Sequence, residues 1–209
     1  MHKNSIKKIL KQFWFIVWED DSWYSWIISA LVAFLLIKFI VYPILGLVFA
    51  TSYPIVAVVS GSMEHPGTFN DFWNDRAICA SSFCTQGEFF NEIDITKETF
   101  QTFSFKNGFN TGDIMILFGN TEKEVGDIIV FMSKGGQPII HRIIKKYEKN
   151  GETLYQTKGD NNELSINIFS LKEIDIQENT IIGEAKFRLP YLGYVKIWFV
   201  NLLTLLHIV

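Results

Sequence analysis

The sequence has no excess of basic residues. Its 19 Lys and Arg residues are outnumbered by 22 Asp and Glu residues, which gives a formal net charge of -3. A protein that binds nucleic acid through phosphate contacts needs a strongly positive surface. We therefore expect no nucleic acid among its partners.

Cysteine and histidine are also scarce, with 2 Cys and 4 His in 209 residues. Cys79 and Cys84 lack two further ligands at the spacing of a structural zinc site. The sequence thus predicts no metal and no cofactor. If this part of the chain lies on an oxidising side of a membrane, we expect the two cysteines to form a disulfide.

Formal charge is nearly absent between Trp23 and Ser60, where Lys38 is the only charged side chain. A helix needs about 20 apolar residues to cross a bilayer, so the pattern predicts a transmembrane helix over residues 24–50. A buried core helix fits less well, because so small a domain could hardly cover this many apolar side chains. A cleaved signal peptide fits less well too, because its apolar region is shorter.

Lysines precede this helix, and no Lys or Arg follows it until Arg76. The positive-inside rule then predicts a cytoplasmic or interfacial segment over 1–23 and an extracytoplasmic domain over 51–190, at the cell membrane. Residues 191–209 are again apolar, and we expect them to form a second transmembrane helix or to pack as a terminal helix.

The middle of the chain is typical of β structure. Short β-branched runs bounded by turn residues predict strands over 114–118, 128–131 and 181–188. Asn150-Gly151, between two further such runs, predicts a tight hairpin. Residues 67–110 show no clear period, and we interpret them as an irregular insertion.

Candidate chemistry lies in three places. Ser60-Gly61-Ser62 could supply a nucleophile and donors for a developing negative charge, although Ser-Gly-Ser is common in loops. His141 stands in an otherwise apolar strand, where it could be a base or a buried core histidine. Asp160 could orient an imidazole or belong to a plain turn.

Five motifs, taken together and in order, resemble the type I signal peptidases of the archaeal and endoplasmic-reticulum branch. They are Ser-Gly-Ser-Met-Glu at 60–64, Gly-Asp-Ile at 112–114, Gly-Asp-Ile-Ile-Val-Phe at 126–131, Ile-Ile-His-Arg-Ile-Ile at 139–144 and Thr-Lys-Gly-Asp-Asn-Asn at 157–162. That branch carries histidine where the bacterial enzymes carry a lysine base.

The resemblance implies a mainly β catalytic domain of twisted signal-peptidase-like fold, with an N-terminal transmembrane helix. It implies Ser62 as nucleophile, His141 as general base and Asp160 as the acidic residue, with Ser60 and Met63 at the oxyanion and substrate-binding position. The implied activity is removal of signal peptides from secretory precursors by a serine endopeptidase. Its partners would be signal-peptide-bearing precursor proteins and the lipid bilayer.

The sequence departs from the family pattern at two points. His65 intervenes where the family usually has proline two residues after the methionine. No Asp follows the 157–162 motif until Asp175, so either Asp160 or Glu163 could be the acid of a triad.

Two alternatives to this reading remain open. One is a Ser-Lys dyad that uses Lys145, Lys146 or Lys158, although polar surroundings give no reason for a depressed lysine pKa. The other is a non-catalytic, membrane-tethered β domain that binds a protein partner.

Overall fold

The computed structural model describes residues 2–80 and 82–205, and the chain divides into two compact units. The first unit comprises residues 1–48 and the second residues 49–209. Helices make up the first unit, whereas the second is built on a β-sheet. The prediction of a mainly β fold preceded by an apolar N-terminal helix is confirmed.

The first unit contains helix α1 and a longer helical run. The bounds are α1 (His2–Trp18), α2 (Trp23–Leu36), a π-helical turn (Ile37–Val41) and α3 (Tyr42–Val48). The run Trp23–Val48 is 26 residues long, with apolar side chains along its length, and is long and apolar enough to cross a membrane. Lys38 lies in the π-helical turn, and its ammonium group lies over the rings of Phe34 and Phe39.

The second unit contains a seven-stranded antiparallel sheet in the order β1-β4-β9-β5-β6-β7-β8. Its strands are β1 (Ile55–Ala57), β4 (Ile114–Phe118), β5 (Ile128–Met132), β6 (Pro138–Lys149), β7 (Glu152–Lys158), β8 (Ile176–Gln177) and β9 (Ile181–Leu189). The three predicted strands are found as β4, β5 and β9. Because β1 pairs with β4 alone among the described strands, it forms one edge of the sheet.

The predicted hairpin joins β6 to β7. Asn150 and Gly151 both have positive φ angles, 56° and 80°. Two consecutive residues of this kind match the twist of the flanking strands, which explains why Asn-Gly is favoured here. The antiparallel register pairs Lys149 with Glu152 and continues to Arg142 and Lys158. The hairpin thus carries the strand of His141 next to the strand that leads into Asp160.

Alternate residues of β5 pack on opposite faces of the sheet. Ile128 and Val130 join a core cluster that includes Met63, whereas Ile129 and Phe131 join another cluster. This period of two is the side-chain alternation of a strand. Both faces are covered at β5, which explains why its sequence is a continuous apolar run.

The interpretation of residues 67–110 as irregular is wrong. The segment contains α4 (Phe69–Trp73), β2 (Arg76–Cys79), β3 (Ser82–Thr85), α5 (Gln86–Glu92) and α6 (Lys97–Thr102). The helices begin at threonine caps, and Thr68 and Thr85 form capping boxes with Asp71 and Glu88. Their aromatic side chains pack around the fully buried Phe72, Phe90 and Phe100. We call residues 67–110 the insertion.

Near the C-terminus, helix α7 spans Tyr194–Leu205. At 1.5 Å per residue its 12 residues extend about 18 Å, which is shorter than the ~30 Å hydrocarbon core of a bilayer. Among the described residues, Trp23–Val48 is the single helix that meets the length and hydropathy of a membrane span. The prediction of a second span over 191–209 extends into residues 206–209, which lie outside the described residues.

Cys79 and Cys84 form a disulfide across the β2–β3 hairpin, as predicted. A bridge that closes so short a loop stabilises the fold by ~2 kcal/mol in the chain-entropy model. We therefore expect the double substitution Cys79→Ser and Cys84→Ser to lower the thermal unfolding midpoint by several degrees. Differential scanning calorimetry of the detergent-solubilised chain measures this shift. Ser82→Ala, on the same hairpin, serves as the control, and an unchanged midpoint in the double variant would contradict the stabilisation.

Candidate active site

Ser62 lies in the loop that follows β1, within the turn Ser60-Gly61-Ser62. The Ser60 and Ser62 hydroxyl oxygens are 3.2 Å apart. The turn is closed by a hydrogen bond from the Glu64 amide to the Gly61 carbonyl. The loop therefore brings two hydroxyl groups and the Ser62 amide into one small region, as the sequence predicts.

His141 lies on β6, opposite Ile129 of β5, and its side chain is buried. Its Nε2 atom is 2.9 Å from the Ser62 hydroxyl oxygen. The structure thus brings together the two residues that the resemblance implies as nucleophile and base. They come from elements that are 79 positions apart in the sequence.

The other ring nitrogen of His141, Nδ1, is hydrogen-bonded to the carboxylate of Glu173. Glu173 is fully buried. Its carboxylate also accepts hydrogen bonds from the Thr157 hydroxyl and from the Ile166 amide. An anionic carboxylate surrounded by donors favours the tautomer with hydrogen on Nδ1, which leaves the Nε2 lone pair facing Ser62.

Glu173 is not among the acidic residues predicted from the sequence. Those are Asp160 and Glu163, close to the 157–162 motif, and the family pattern implies an Asp, not a Glu, as the later acid. Glu173 lies further along the chain, between Lys172 and Ile174. The signal available in the sequence is an acidic residue, Asp or Glu, in the segment between β7 and β8.

Asp160 does not contact His141, contrary to the prediction that it orients this imidazole. Its carboxylate instead accepts a two-pronged pair of hydrogen bonds from Arg142, at 2.9 and 2.7 Å, and lies 2.9 Å from His65 Nε2. Burial alone would raise the pKa of the Asp160 carboxyl. The Arg142 guanidinium and the His65 hydrogen bond outweigh burial and hold that pKa well below its ordinary value.

Arg142 is fully buried and connects several backbone segments. Besides Asp160, its guanidinium donates to the backbone carbonyls of Ser104, Phe105 and Gly126. A buried charge with this many acceptors organises the fold around it. Asp160 and Arg142 therefore form a structural ion pair behind the site.

Glu163, the second candidate acid, is at the surface. Its carboxylate is 2.9 Å from Arg76 Nε, and both side chains are largely exposed. Because Glu163 pairs with Arg76 and the Nδ1 atom of His141 is hydrogen-bonded to Glu173, the position of Glu163 does not support the prediction that it could complete a triad. Such exposed pairs contribute little to stability.

Met63 is also placed differently from the prediction. Its side chain is fully buried in a core cluster that also includes Val58 and Phe109. Its sulfur accepts a hydrogen bond from the Asp160 amide at 3.3 Å. Met63 thus supports the Ser62 loop from the interior instead of lining a substrate-binding surface.

Lys158 is fully buried, contrary to the expectation of polar surroundings. Burial lowers the pKa of its ammonium group to about 7. The group donates to the Gln86 side-chain oxygen and to the carbonyls of Gly159 and Asp160. None of these contacts is with Ser62, and Lys145 and Lys146 lie further along β6 toward the hairpin. The geometry therefore favours His141 over a lysine base.

His65, which stands where the family pattern has proline, packs against the insertion. Its ring stacks on Phe72 with the ring centroids 3.6 Å apart and the planes nearly parallel. Its side chain is almost fully buried and contacts Asp160, not Ser62. The insertion thus supports the nucleophile loop from behind.

The three residues Ser62, His141 and Glu173 have the geometry of a nucleophile, a base and an orienting acid. Such an arrangement can transfer an acyl group through a serine ester. Among the described residues, no group of three or more His, Cys, Asp or Glu side chains is placed to hold a metal ion.

Known relatives match a little under half of the chain. The signal peptidase complex catalytic subunit SEC11 of Lodderomyces elongisporus is 36% identical over 98 residues, which are 45% of this chain and 59% of the relative. That of Saccharomyces cerevisiae is 36% identical over 100 residues, which are 46% of this chain and 60% of the relative. The chain thus spans about three fifths of the length of the curated relatives it matches. No protein-family model matches it. The similarities confirm the resemblance to type I signal peptidases of the endoplasmic-reticulum and archaeal branch.

Proposed function

We propose that the chain is a membrane-bound serine endopeptidase that removes signal peptides from secretory precursors. The observation that carries the proposal is the line of contacts from Ser62 through His141 to Glu173. The similarity to catalytic subunits of a signal peptidase complex supports the same activity. In this proposal Glu173 replaces Asp160 as the orienting acid.

The proposed reaction begins when Ser62 Oγ attacks the carbonyl carbon of the scissile peptide bond. Its proton passes to His141 Nε2, and Glu173 stabilises the imidazolium that forms. The Ser62 amide and the Ser60 hydroxyl donate to the oxyanion of the tetrahedral intermediate. The carbon–nitrogen bond then breaks, and the proton on His141 passes to the leaving amine.

The second half of the reaction hydrolyses the acyl-enzyme ester. His141 accepts a proton from a water molecule, whose oxygen attacks the ester carbonyl carbon. The bond to Ser62 Oγ breaks, and Ser62 regains its proton from His141. The chain's own side chains thus carry each proton, and the serine is restored for the next turnover.

An edge strand next to the nucleophile is suited to an extended peptide. Among the strands that the structure describes, β1 pairs with β4 alone, and after β1 the chain continues into the Ser60–Ser62 turn. An extended segment of the precursor could add to this edge through backbone hydrogen bonds, the mode called β-augmentation. We propose that the residues before the cleavage site bind in this way.

The proposed location is a membrane with the β domain on its extracytoplasmic face and the N-terminus in the cytoplasm. The helix Trp23–Val48 supports the membrane anchor. The Cys79–Cys84 disulfide supports an oxidising compartment for the second unit, because such bonds are rare in the cytosol. Anchoring enzyme and precursor in one bilayer raises their effective concentration.

Cleavage of a model secretory precursor by the purified full chain in detergent tests the proposal. We expect wild type to release the mature protein and Ser62→Ala to release none above background, while Ser52→Ala, at an exposed serine in the same unit, cleaves like wild type. A serine-directed acylating probe is expected to label wild type and Ser52→Ala but not Ser62→Ala. Cleavage that persists in Ser62→Ala, or no cleavage by wild type, would contradict the proposed activity.

A further inference from the structure

Asn161 makes hydrogen bonds on both sides of the nucleophile Ser62. Its side-chain amide donates to the Gly61 carbonyl at 3.1 Å. Its backbone amide donates to the Ser62 carbonyl at 2.8 Å. One residue thus holds both peptide groups that flank the Ser62 α-carbon.

The first of these hydrogen bonds, together with the one that the Glu64 amide donates to the same carbonyl, fixes the direction of the Ser62 amide. The Gly61 carbonyl and the Ser62 N–H belong to the same peptide unit, which is planar and trans. In such a unit the C=O and N–H bonds point in opposite directions. Because the Asn161 side chain and the Glu64 amide hold the carbonyl on one side, the Ser62 N–H points to the other side. A rotation of this peptide would turn the carbonyl oxygen, instead of the N–H, toward the oxyanion.

These contacts require the 159–162 loop to lie close to the backbone of Ser62, and this closeness depends on Gly159. A β-carbon at this position would lie 2.8 Å from the Ser62 carbonyl oxygen and 2.7 Å from the Asn162 side-chain nitrogen. A contact that close to a backbone atom would force the 159–162 loop away from Ser62. The loop therefore approaches the nucleophile as closely as its backbone allows.

We infer that Asn161 is a positioning residue that fixes the Gly61–Ser62 peptide so that the Ser62 amide donates to the oxyanion. The inference rests on the proposed acyl-transfer function and adds a residue to it. Asn161 does not touch the reacting atoms, and its side chain is exposed at the rim of the site. A bound precursor that covers this rim would exclude water from the Asn161–Gly61 hydrogen bond and strengthen it.

Two substitutions test the role of the side chain. Asn161→Asp is close to isosteric and keeps the backbone hydrogen bond to Ser62, but a carboxylate cannot donate to the Gly61 carbonyl. Asn161→Ala removes the side-chain donor without adding charge. We expect both to lower kcat by about 10- to 100-fold, less than loss of an oxyanion donor itself, which costs about 10²- to 10³-fold. KM should stay close to the wild-type value, because the contact acts on the transition state.

Asn91→Ala is the matched control, because Asn91 is an exposed asparagine on α5. It should retain the wild-type kcat. Unfolding midpoints of Asn161→Asp, Asn161→Ala and Asn91→Ala, measured in the same detergent, should agree with that of wild type. Gly159→Ala is a second variant that acts through the same loop, and it should reproduce the loss of kcat by displacing the loop from Ser62.

A synthetic precursor peptide with a thioamide at the scissile bond separates positioning of the amide from a general structural effect. Sulfur accepts hydrogen bonds poorly, so wild type should cleave the thioamide more slowly than the normal peptide. If Asn161 aims the Ser62 amide, the ratio of the two rates should move toward one in Asn161→Asp. An unchanged ratio, or a kcat within about twofold of wild type, would overturn the inference. The proposed function fails separately, by loss of the difference between wild type and Ser62→Ala.

Discussion

Glu173→Gln is expected to lower kcat for precursor cleavage by about 10⁴-fold, the loss known for removing the orienting carboxylate of a Ser-His-acid triad. The Glu173 carboxylate accepts the Nδ1 hydrogen of His141. A glutamine amide can present its NH₂ group instead and stabilise the tautomer with hydrogen on Nε2. That tautomer cannot accept the Ser62 proton. Steady-state kinetics with the purified chain in detergent measures the change.

Glu163→Gln is the matched control, because it makes the same substitution at an exposed acid that pairs with Arg76. We expect its kcat to be close to that of wild type. The unfolding midpoint of Glu173→Gln should stay near the wild-type midpoint, since the amide has the size of the carboxylate. If Glu163→Gln were the more damaging of the two, Glu173 would not be the orienting acid.

Asp160→Ala is expected to destabilise the second unit by about 3–5 kcal/mol, the loss typical when one partner of a buried ion pair is removed. The substitution leaves the Arg142 guanidinium fully buried without its carboxylate. It also removes the partner of His65 Nε2. The loss should appear first as a lower unfolding midpoint, and loss of activity should follow from unfolding. Thermal or urea unfolding in detergent measures it.

The pH dependence of this difference follows from the lowered pKa of Asp160. In the unfolded chain the carboxyl titrates near its ordinary value of about 3.9, whereas in the folded chain it stays ionised to lower pH. The unfolded state therefore binds more protons between the two values, and stability falls as pH falls through that window. The difference in the free energy of unfolding between wild type and Asp160→Ala should have its full size at neutral pH and become smaller below about pH 4.

Glu124→Ala is the control for this measurement, because Glu124 forms an exposed ion pair with Lys146. We expect this substitution to lower the free energy of unfolding by about 1 kcal/mol or less. An Asp160→Ala variant as stable as Glu124→Ala would show that the buried pair contributes no more than a surface pair.

The sheet follows from local sequence signals, whereas the Ser62–His141 pair was predicted from the family resemblance of the ordered motifs. Strands β4, β5 and β9 are short apolar runs between turn residues, and the Asn150-Gly151 turn sets the β6–β7 pairing. Each of these signals acts over a few residues, and tertiary packing agrees with it. The order of the motifs then indicates Ser62 and His141 as the candidate nucleophile and base.

The role of Glu173 and the regular secondary structure of the insertion were not predicted, for different physical reasons. Glu173 reaches His141 because the chain returns beside β7, where the Glu173 carbonyl accepts the Thr157 amide, and no short-range pattern encodes such a return. The helices of the insertion are at most 7 residues long, too short for a clear 3.6-residue period. Their capping boxes were nevertheless visible in the sequence, at Thr68-Asp71 and Thr85-Glu88.

The insertion is not a module that could be removed to obtain a smaller protein of the same fold. Gln86 of α5 accepts from the buried Lys158 ammonium group and donates to the Asn162 carbonyl. The carbonyls of Ser104 and Phe105 accept from Arg142, and Phe72 covers the ring of His65. Removing the insertion would therefore take hydrogen-bond acceptors away from the buried Lys158 ammonium group and from the buried Arg142 guanidinium. An engineered minimal version would have to replace Lys158, Arg142 and the Arg142 partner Asp160 together with the segment, because a buried charge left without its partner is strongly destabilising.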